Sequence, residues 1–287
     1  MSVEFGGGPP AAPGPGPRNV GGIVAQTFRI FGRHVGSMLL LVAVFVVPLV
    51  LAGVAAFGPA YLDALMGGTI DGLTGSPSSG IVFALSAYLV LYTTGMVVVT
   101  GAVSESAGRG LVGQSISIGR AYAVAIRRLP HMLGASLVAG ALVALPAGLA
   151  LMLVIPAPVF GPVPLVLFFV LLFVSVYLGI RLVFAPLIAL FQQEGPLSAV
   201  GRSWSLVSGA WRRTFGLLLL IGLILGVLQL GIGFLLSSLP VVEAIATSLL
   251  VLPLSLIGNL LIYMDLRARK QLYRTEDLSG ELALLES

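Results

Sequence analysis

Apolar residues run along this chain in six long stretches, at 37–57, 81–103, 132–154, 165–186, 215–236 and 245–264. A hydrocarbon core of roughly 30 Å takes about 20 helical residues to cross, so each stretch is long enough to span a bilayer. In lipid the backbone must satisfy its own hydrogen bonds, which leaves only helices or a closed barrel. Barrel strands alternate apolar and polar residues, and these stretches do not. The pattern predicts an all-α integral membrane bundle of about six transmembrane helices. Pro48, Pro146, Pro186 and Pro253 fall within or at the ends of the stretches and are expected to kink them.

The segment before each odd-numbered span has helical periodicity of its own. Leu197, Val200, Trp204, Val207 and Trp211 recur at spacings of 3 and 4 ahead of the fifth span, with Arg202, Arg212 and Arg213 off that stripe. Ile118, Tyr122, Ala125 and Leu129 repeat the arrangement before the third span, beside Arg120, Arg127 and Arg128. Val24, Phe28, Phe31 and Val35 do so before the first, beside Arg29 and Arg33. The expectation is three hairpins, each preceded by an amphipathic helix on the membrane surface, its apolar stripe in the acyl boundary and its arginines on anionic headgroups. The alternative is a set of loop helices packed on one another.

The basic residues orient the bundle. All 15 of Lys plus Arg, counting Arg181 at the end of the fourth span, fall on the side of the N-terminus, the even loops and the C-terminus. The opposite loops, roughly 58–80, 155–164 and 237–244, carry only Asp63, Asp71 and Glu243. By the positive-inside rule both termini are expected in the cytoplasm of a bacterial plasma membrane. The first 18 residues, rich in Gly and Pro, are expected to be a disordered tail, without the basic start and apolar core of a signal peptide. Residues 19–275 then form the membrane domain and 276–287 a short acidic C-terminal tail.

Composition narrows the chemistry. The chain of 287 residues is 57% hydrophobic and 9% charged, with a mean hydropathy of +1.08. A soluble domain carries about 25% charged residues. With no cysteine, disulfides, thiol nucleophiles and Cys-ligated metals are excluded. His34 and His131 border spans beside arginines and are read as interfacial anchors rather than metal ligands or catalytic groups. No catalytic motif of the Gly-x-Ser-x-Gly, His-Glu-x-x-His or phosphate-loop kind occurs, and no cofactor is expected. The net charge of +4 is spread along span borders, which points to anionic lipid headgroups and away from nucleic acid.

Polar residues at membrane depth are the remaining candidates for function. Glu105, Arg181 and Asp265 end the three even-numbered spans at corresponding places, and Arg181 is expected either to pair with Glu105 or Asp265 or to reach interfacial water. Gln229 and Asn259 are the deeper amides, with interhelical hydrogen bonding their expected role. Gly222 and Gly226 are spaced for close helix approach.

Two stretches carry a family resemblance. Gly201-Arg202-Ser203-Trp204-Ser205-Leu206-Val207-Ser208-Gly209-Ala210-Trp211-Arg212-Arg213 resembles the "Arg-Ser-Trp-x-Leu-x-x-Gly-x-x-Trp-Arg" segment of the bacterial membrane domain found in some glycerophosphoryl diester phosphodiesterases. Tyr263-Met264-Asp265-Leu266-Arg267-Ala268-Arg269-Lys270 resembles its closing "Tyr-x-Asp-Leu-Arg-x-Arg" motif. The resemblance implies a polytopic helical domain over about residues 20–275. It singles out Arg202, Ser203, Trp204, Gly209, Trp211, Arg212, Asp265, Arg267 and Arg269. Glu194, set off by Gln192-Gln193, is the nearest counterpart of an acidic residue the family carries soon after its fourth span. The phosphodiesterase activity of named members resides in a separate soluble barrel of about 250 residues, which this chain has no room for. The expected function is therefore a non-enzymatic scaffold or accessory subunit that binds lipids or another membrane protein. The alternative is a transporter component for a small or lipidic substrate, which calls for a polar cavity at mid-depth lined by Gln229, Asn259 or Arg181.

Overall fold

The computed structural model describes residues 19–58, 79–154, 162–271 and 275–285. The Gly/Pro-rich tail, Asp63 and Asp71 lie outside the described residues. The described chain is helical throughout its regular structure: α1 (Val20–Arg33), α2 (Val35–Phe57), α3 (Ser79–Leu111), α4 (Ile118–Val154), α5 (Pro162–Leu182), α6 (Ala185–Phe191), α7 (Pro196–Val207), α8 (Trp211–Leu236), α9 (Pro240–Gln271) and α10 (Thr275–Leu284). Six segments are long and apolar enough to cross a membrane: Val35–Phe57, Val82–Leu111, Ile118–Leu153, Val163–Phe191, Trp211–Leu236 and Pro240–Gln271. The architecture is that of a multi-pass, all-α membrane protein.

Helices α2 and α3, α4 and α5, and α8 and α9 pack as three hairpins. Helix α9 touches α1, α2, α3 and α8, and α4 touches α3, α5, α6 and α7. Gly95 of α3 leaves room for the ring of Phe45 on α2, which lies where a β-carbon would otherwise be. The Tyr122 hydroxyl on α4 donates to the carbonyl of Leu41, joining the second hairpin to the first.

The hydropathy reading placed the even-numbered spans too short. Helix α3 runs to Leu111 and α9 to Gln271, well past the apolar stretches, and the fourth span ends at Leu182 before α6 resumes it. Pro186 therefore opens α6 instead of kinking a span, a place where its missing N–H costs nothing. Pro48, Pro146 and Pro253 sit inside continuous helices. Every residue from Gly101 to Arg109 on α3 and from Leu260 to Ala268 on α9 is buried. A helix buried all round needs neighbours on every side. The core therefore lies at the arginine-rich end, where α1, α6, α7 and α10 supply those neighbours, while the other end is more open. Beyond Leu225 only Ile232 of α8 is buried.

The three amphipathic segments differ in form. His34 (φ −126°, ψ 28°) separates α1 from α2. Ser208 to Ala210 separate α7 from α8, with Gly209 at φ +78°, a left-handed conformation that a β-carbon disfavours. The second segment is instead continuous with its span, because no residue between Ile118 and Met132 leaves helical geometry and the helix carries through Pro130. The stripes meet the bundle only in part: Val24, Phe31, Val200 and Trp211 pack against the core and Val207 lies in it, but other stripe residues do not. Helix α1 buries Ile23, Gln26, Thr27 and Ile30, and α7 buries Ala199, Ser203, Leu206 and Val207. Each core-facing set is displaced about one residue from the stripe, and that leaves Phe28, Leu197 and Trp204 on the outside. Helices α1 and α7 thus carry apolar side chains on the outside as well as against the core.

Candidate functional site

The residues singled out by the two motif stretches meet where α5, α6, α7, α8 and α9 converge. Asp265, with no exposed surface, is the hub. Its Oδ2 accepts from Arg213 Nε and Nη2 at 3.2 and 3.0 Å, and both carboxylate oxygens accept from Arg269 Nε at 3.1 and 3.0 Å. Arg269 reaches it because residues four apart share a helix face. Arg213 reaches it from the first turn of α8. Two bonded cations offset the cost of burying a carboxylate in so dry a place. One turn on, Lys270 Nζ donates to the carbonyls of Ser205 (2.9 Å) and Ser208, which close the end of α7. The two motifs, some fifty residues apart in sequence, form one structural unit.

Of the two alternatives for Arg181, pairing with Glu105 or Asp265 or reaching interfacial water, the pairing is not formed. Its guanidinium lies 4.3 Å from the Trp204 ring and 4.9 Å from the Tyr177 ring, and Nη1 donates to Ser208 Oγ at 2.8 Å. The Arg181 carbonyl accepts from Ser203 Oγ at 2.8 Å. The reason is competition: Glu105 and Asp265 already hold arginines closer along the chain. Glu105 pairs with Arg109 at i+4, and both side chains are almost wholly buried. Trp211 stacks on Phe215 at 5.4 Å and leans on Tyr177 at 5.6 Å. Gly209 permits the bend that brings Trp204 and Trp211 to one tyrosine. Arg212, next to Trp211, is exposed.

A polar cavity of about 450 Å³ opens beside this unit, with Gln192, Gln193, Glu194 and Arg202 on one side and Arg267 and Glu281 on the other. Phe191 and Leu284 are its apolar walls. Arg202 donates to Gln192 Oε1 at 2.9 Å and pairs with Glu194 at 2.6 Å. Gln192 Nε2 in turn donates to the buried hydroxyl of Tyr263 at 3.0 Å. The Arg267 guanidinium lies 5.5 Å from the Tyr263 ring, receives support from Gln271 Oε1 at 3.1 Å, and forks onto both Glu281 oxygens at 2.9 and 2.8 Å. Glu281 belongs to α10, so the acidic tail is a docked helix. Leu278, Leu282 and Leu285 are buried on its inner side. Gln193 lines the cavity at φ +54°, the one described non-glycine residue in the left-handed region.

The deep amides do not take the role expected of them. Gln229 is exposed and Asn259 half-buried, and among the described residues neither side chain has a hydrogen-bond partner. Gln229 sits in the half of α8 that stands off from the bundle. Among the described residues no atom lies within 4 Å of where a β-carbon of Gly222 or Gly226 would stand, so no described helix uses the space they leave. His34 lies against Gly110, and His131 is exposed. Among the described residues no three His, Asp or Glu side chains group as a metal site.

Sequence reasoning left Arg109, Gln192, Arg213, Tyr263 and Glu281 out of the site. The i,i+4 spacing of Glu105 and Arg109 is a signal that identifies one of these pairs from sequence. No local signal links Glu281 to Arg267, since that contact depends on where α10 docks. No family model matches the chain, and no curated protein or solved structure matches it.

Proposed function

We propose that the chain is a non-enzymatic protein of a bacterial cytoplasmic membrane, with both termini inside, that works through its arginine-rich end as a scaffold or accessory subunit engaging anionic lipid headgroups. The observation that carries this reading is a division among the arginines. Arg109, Arg202, Arg213, Arg267 and Arg269 are spent on carboxylates within the fold. Arg29, Arg33, Arg127 and Arg212 are exposed and, among the described residues, have no carboxylate partner. They alternate with outward-facing apolar side chains: Phe28 beside Arg29, Ile126 (59% exposed) beside Arg127, and Leu197 (74% exposed) and Trp204 on α7. Apolar and cationic groups mixed on one surface suit the boundary between acyl chains and anionic headgroups. The resemblance to the phosphodiesterase membrane domain agrees with this reading. The transport alternative calls for a mid-depth polar cavity, whereas the 450 Å³ cavity includes none of Gln229, Asn259 and Arg181.

Each unpaired arginine near an anionic surface contributes about 1 kcal/mol, so the four together favour anionic over neutral lipid by up to roughly 10³-fold. The test is native mass spectrometry of the purified chain released from nanodiscs of mixed phosphatidylcholine and phosphatidylglycerol. Phosphatidylglycerol should be enriched among retained lipids. The enrichment should collapse when Arg29, Arg33, Arg127 and Arg212 are all changed to Gln, with the melting temperature unchanged. Equal retention of both lipids by the unaltered chain would overturn the reading, and a retained membrane protein in their place would point to a protein partner.

A further inference from the structure

We propose that the cavity between the α6–α7 junction and α9 is a phosphate-recognising site, built on Arg267 and Arg202, whose guanidinium fork Glu281 of α10 occupies as an internal competitor. The proposal rests on the reading that this end of the molecule takes anionic headgroups. A guanidinium held at a fixed angle donates to two oxygens of one anion, and carboxylate and phosphate fit the fork alike. Arg267 is held in that way: it is 7% exposed, lies against Tyr263, is braced at Nε by Gln271, and turns both terminal nitrogens onto Glu281.

Arg202 adds the second cation from α7. Gln192 orients it, and Gln192 is itself set by the same tyrosine, so both arms of the site lean on Tyr263. The cavity volume of about 450 Å³ falls within the range of small-ligand sites, roughly 300–1,000 Å³. With Glu281 in place the lining carries two cations and two carboxylates, and no net charge is left for an anion. Withdrawing Glu281 leaves Arg202 and Arg267 against Glu194 alone.

The other five polar groups of the lining come from α7, α9 and the turn between α6 and α7, which are joined to one another by the Arg202–Gln192–Tyr263 hydrogen bonds. Glu281 comes from a separate ten-residue helix that packs chiefly on α3, with Leu278 and Leu282, and Leu285 just past its end, buried. Leu282 reaches Gly108 of α3, with 3.5 Å to the place of a β-carbon there. The carboxylate can therefore leave the fork when α10 undocks, taking the Leu284 wall and the carbonyl that Gln193 donates to with it, while Arg202, Gln192 and Arg267 stay on α7, the α6–α7 turn and α9. An anion that displaces Glu281 would favour the undocked α10, and binding and undocking would be linked reciprocally.

Two variants of the full chain separate the parts. Glu281→Gln removes the competing charge and keeps the helix. Leu282→Asp keeps Glu281 and disfavours docking. Both are placed in nanodiscs and read in two arms: retention of phosphatidylglycerol by native mass spectrometry, and binding of inorganic phosphate by calorimetry in phosphatidylcholine discs. Each variant should bind phosphate in at least one arm about tenfold more tightly than the unaltered chain, as expected when a site free for about a tenth of the time becomes free throughout. The gain should vanish when Arg267→Gln is added. A gain in the lipid arm assigns the site to headgroups, and a gain with inorganic phosphate alone assigns it to a soluble phosphate and removes the lipid reading of this site. No gain in either arm from variants that melt normally, or a gain that survives Arg267→Gln, overturns the proposal. Should the unaltered chain still enrich phosphatidylglycerol through its four rim arginines, only the present inference is lost.

Discussion

Changing Asp265 to Asn tests whether the two motif stretches form one unit. The side chain is wholly buried and accepts from Arg213 and Arg269, whose side chains are 30% and 38% exposed. Removing one partner of a fully buried pair costs about 3–5 kcal/mol. Here the stranded cations are about one-third exposed and recover part of that from water or headgroups. An asparagine also keeps one acceptor oxygen while turning an N–H toward the guanidinium groups. The net cost comes to about 2–3 kcal/mol. For a chain of this length each kcal/mol moves the melting point by about 2 °C, so Asp265→Asn should melt about 5 °C lower. The assay is intrinsic tryptophan fluorescence on heating in a mild detergent, with Trp204 and Trp211 both reporting from this end. Arg269→Gln, which loses only a solvent-accessible i,i+4 partner, should cost under about 1 kcal/mol. Adding Arg213→Gln to Asp265→Asn should cost little more than Asp265→Asn alone, because the two share one interaction. The reasoning fails if Asp265→Asn melts within a degree of the unaltered chain, or if Arg269→Gln costs as much.

The Glu105–Arg109 pair is drier still, with side-chain exposures of 1% and 5%. Glu105→Gln should cost about 3–5 kcal/mol, and replacing both members with Met and Leu should recover most of it, both read from melting curves. If the apolar double variant melts no higher than Glu105→Gln, the pair is not the source of the loss. Gly209→Ala forces a β-carbon into a residue at φ +78° and should destabilise by about 1–2 kcal/mol. It should also alter tryptophan emission, since the bend there sets Trp204 and Trp211 against Tyr177. An unchanged melting point and spectrum would show that the bend does not depend on glycine.

What the sequence by itself determined is what acts over one or two helical turns. Hydropathy is a local sum, so the six spans and their three hairpins were legible. The amphipathic segments and the basic borders of the spans could be read in the same way. Only the tertiary structure decided which face of each helix meets the core. On α1 the buried set is Ile23, Gln26, Thr27 and Ile30, which includes two polar residues, and on α7 it includes Ser203. An apolar stripe therefore marks lipid or protein equally well, because both are free of water. The ends of the even-numbered helices were misplaced for the same reason: Glu105, Arg109 and Asp265 look like residues that leave the membrane. They are buried because a partner cancels each charge, and partners are a property of packing. The choice of partner was also beyond the sequence. Arg181 had two carboxylates at corresponding places in the repeats, yet geometry gave Glu105 to Arg109 and Asp265 to Arg213 and Arg269. The Glu281–Arg267 fork depends on where a ten-residue helix docks, and that is settled by its packing on α3, where Leu282 meets Gly108, through contacts no local pattern contains.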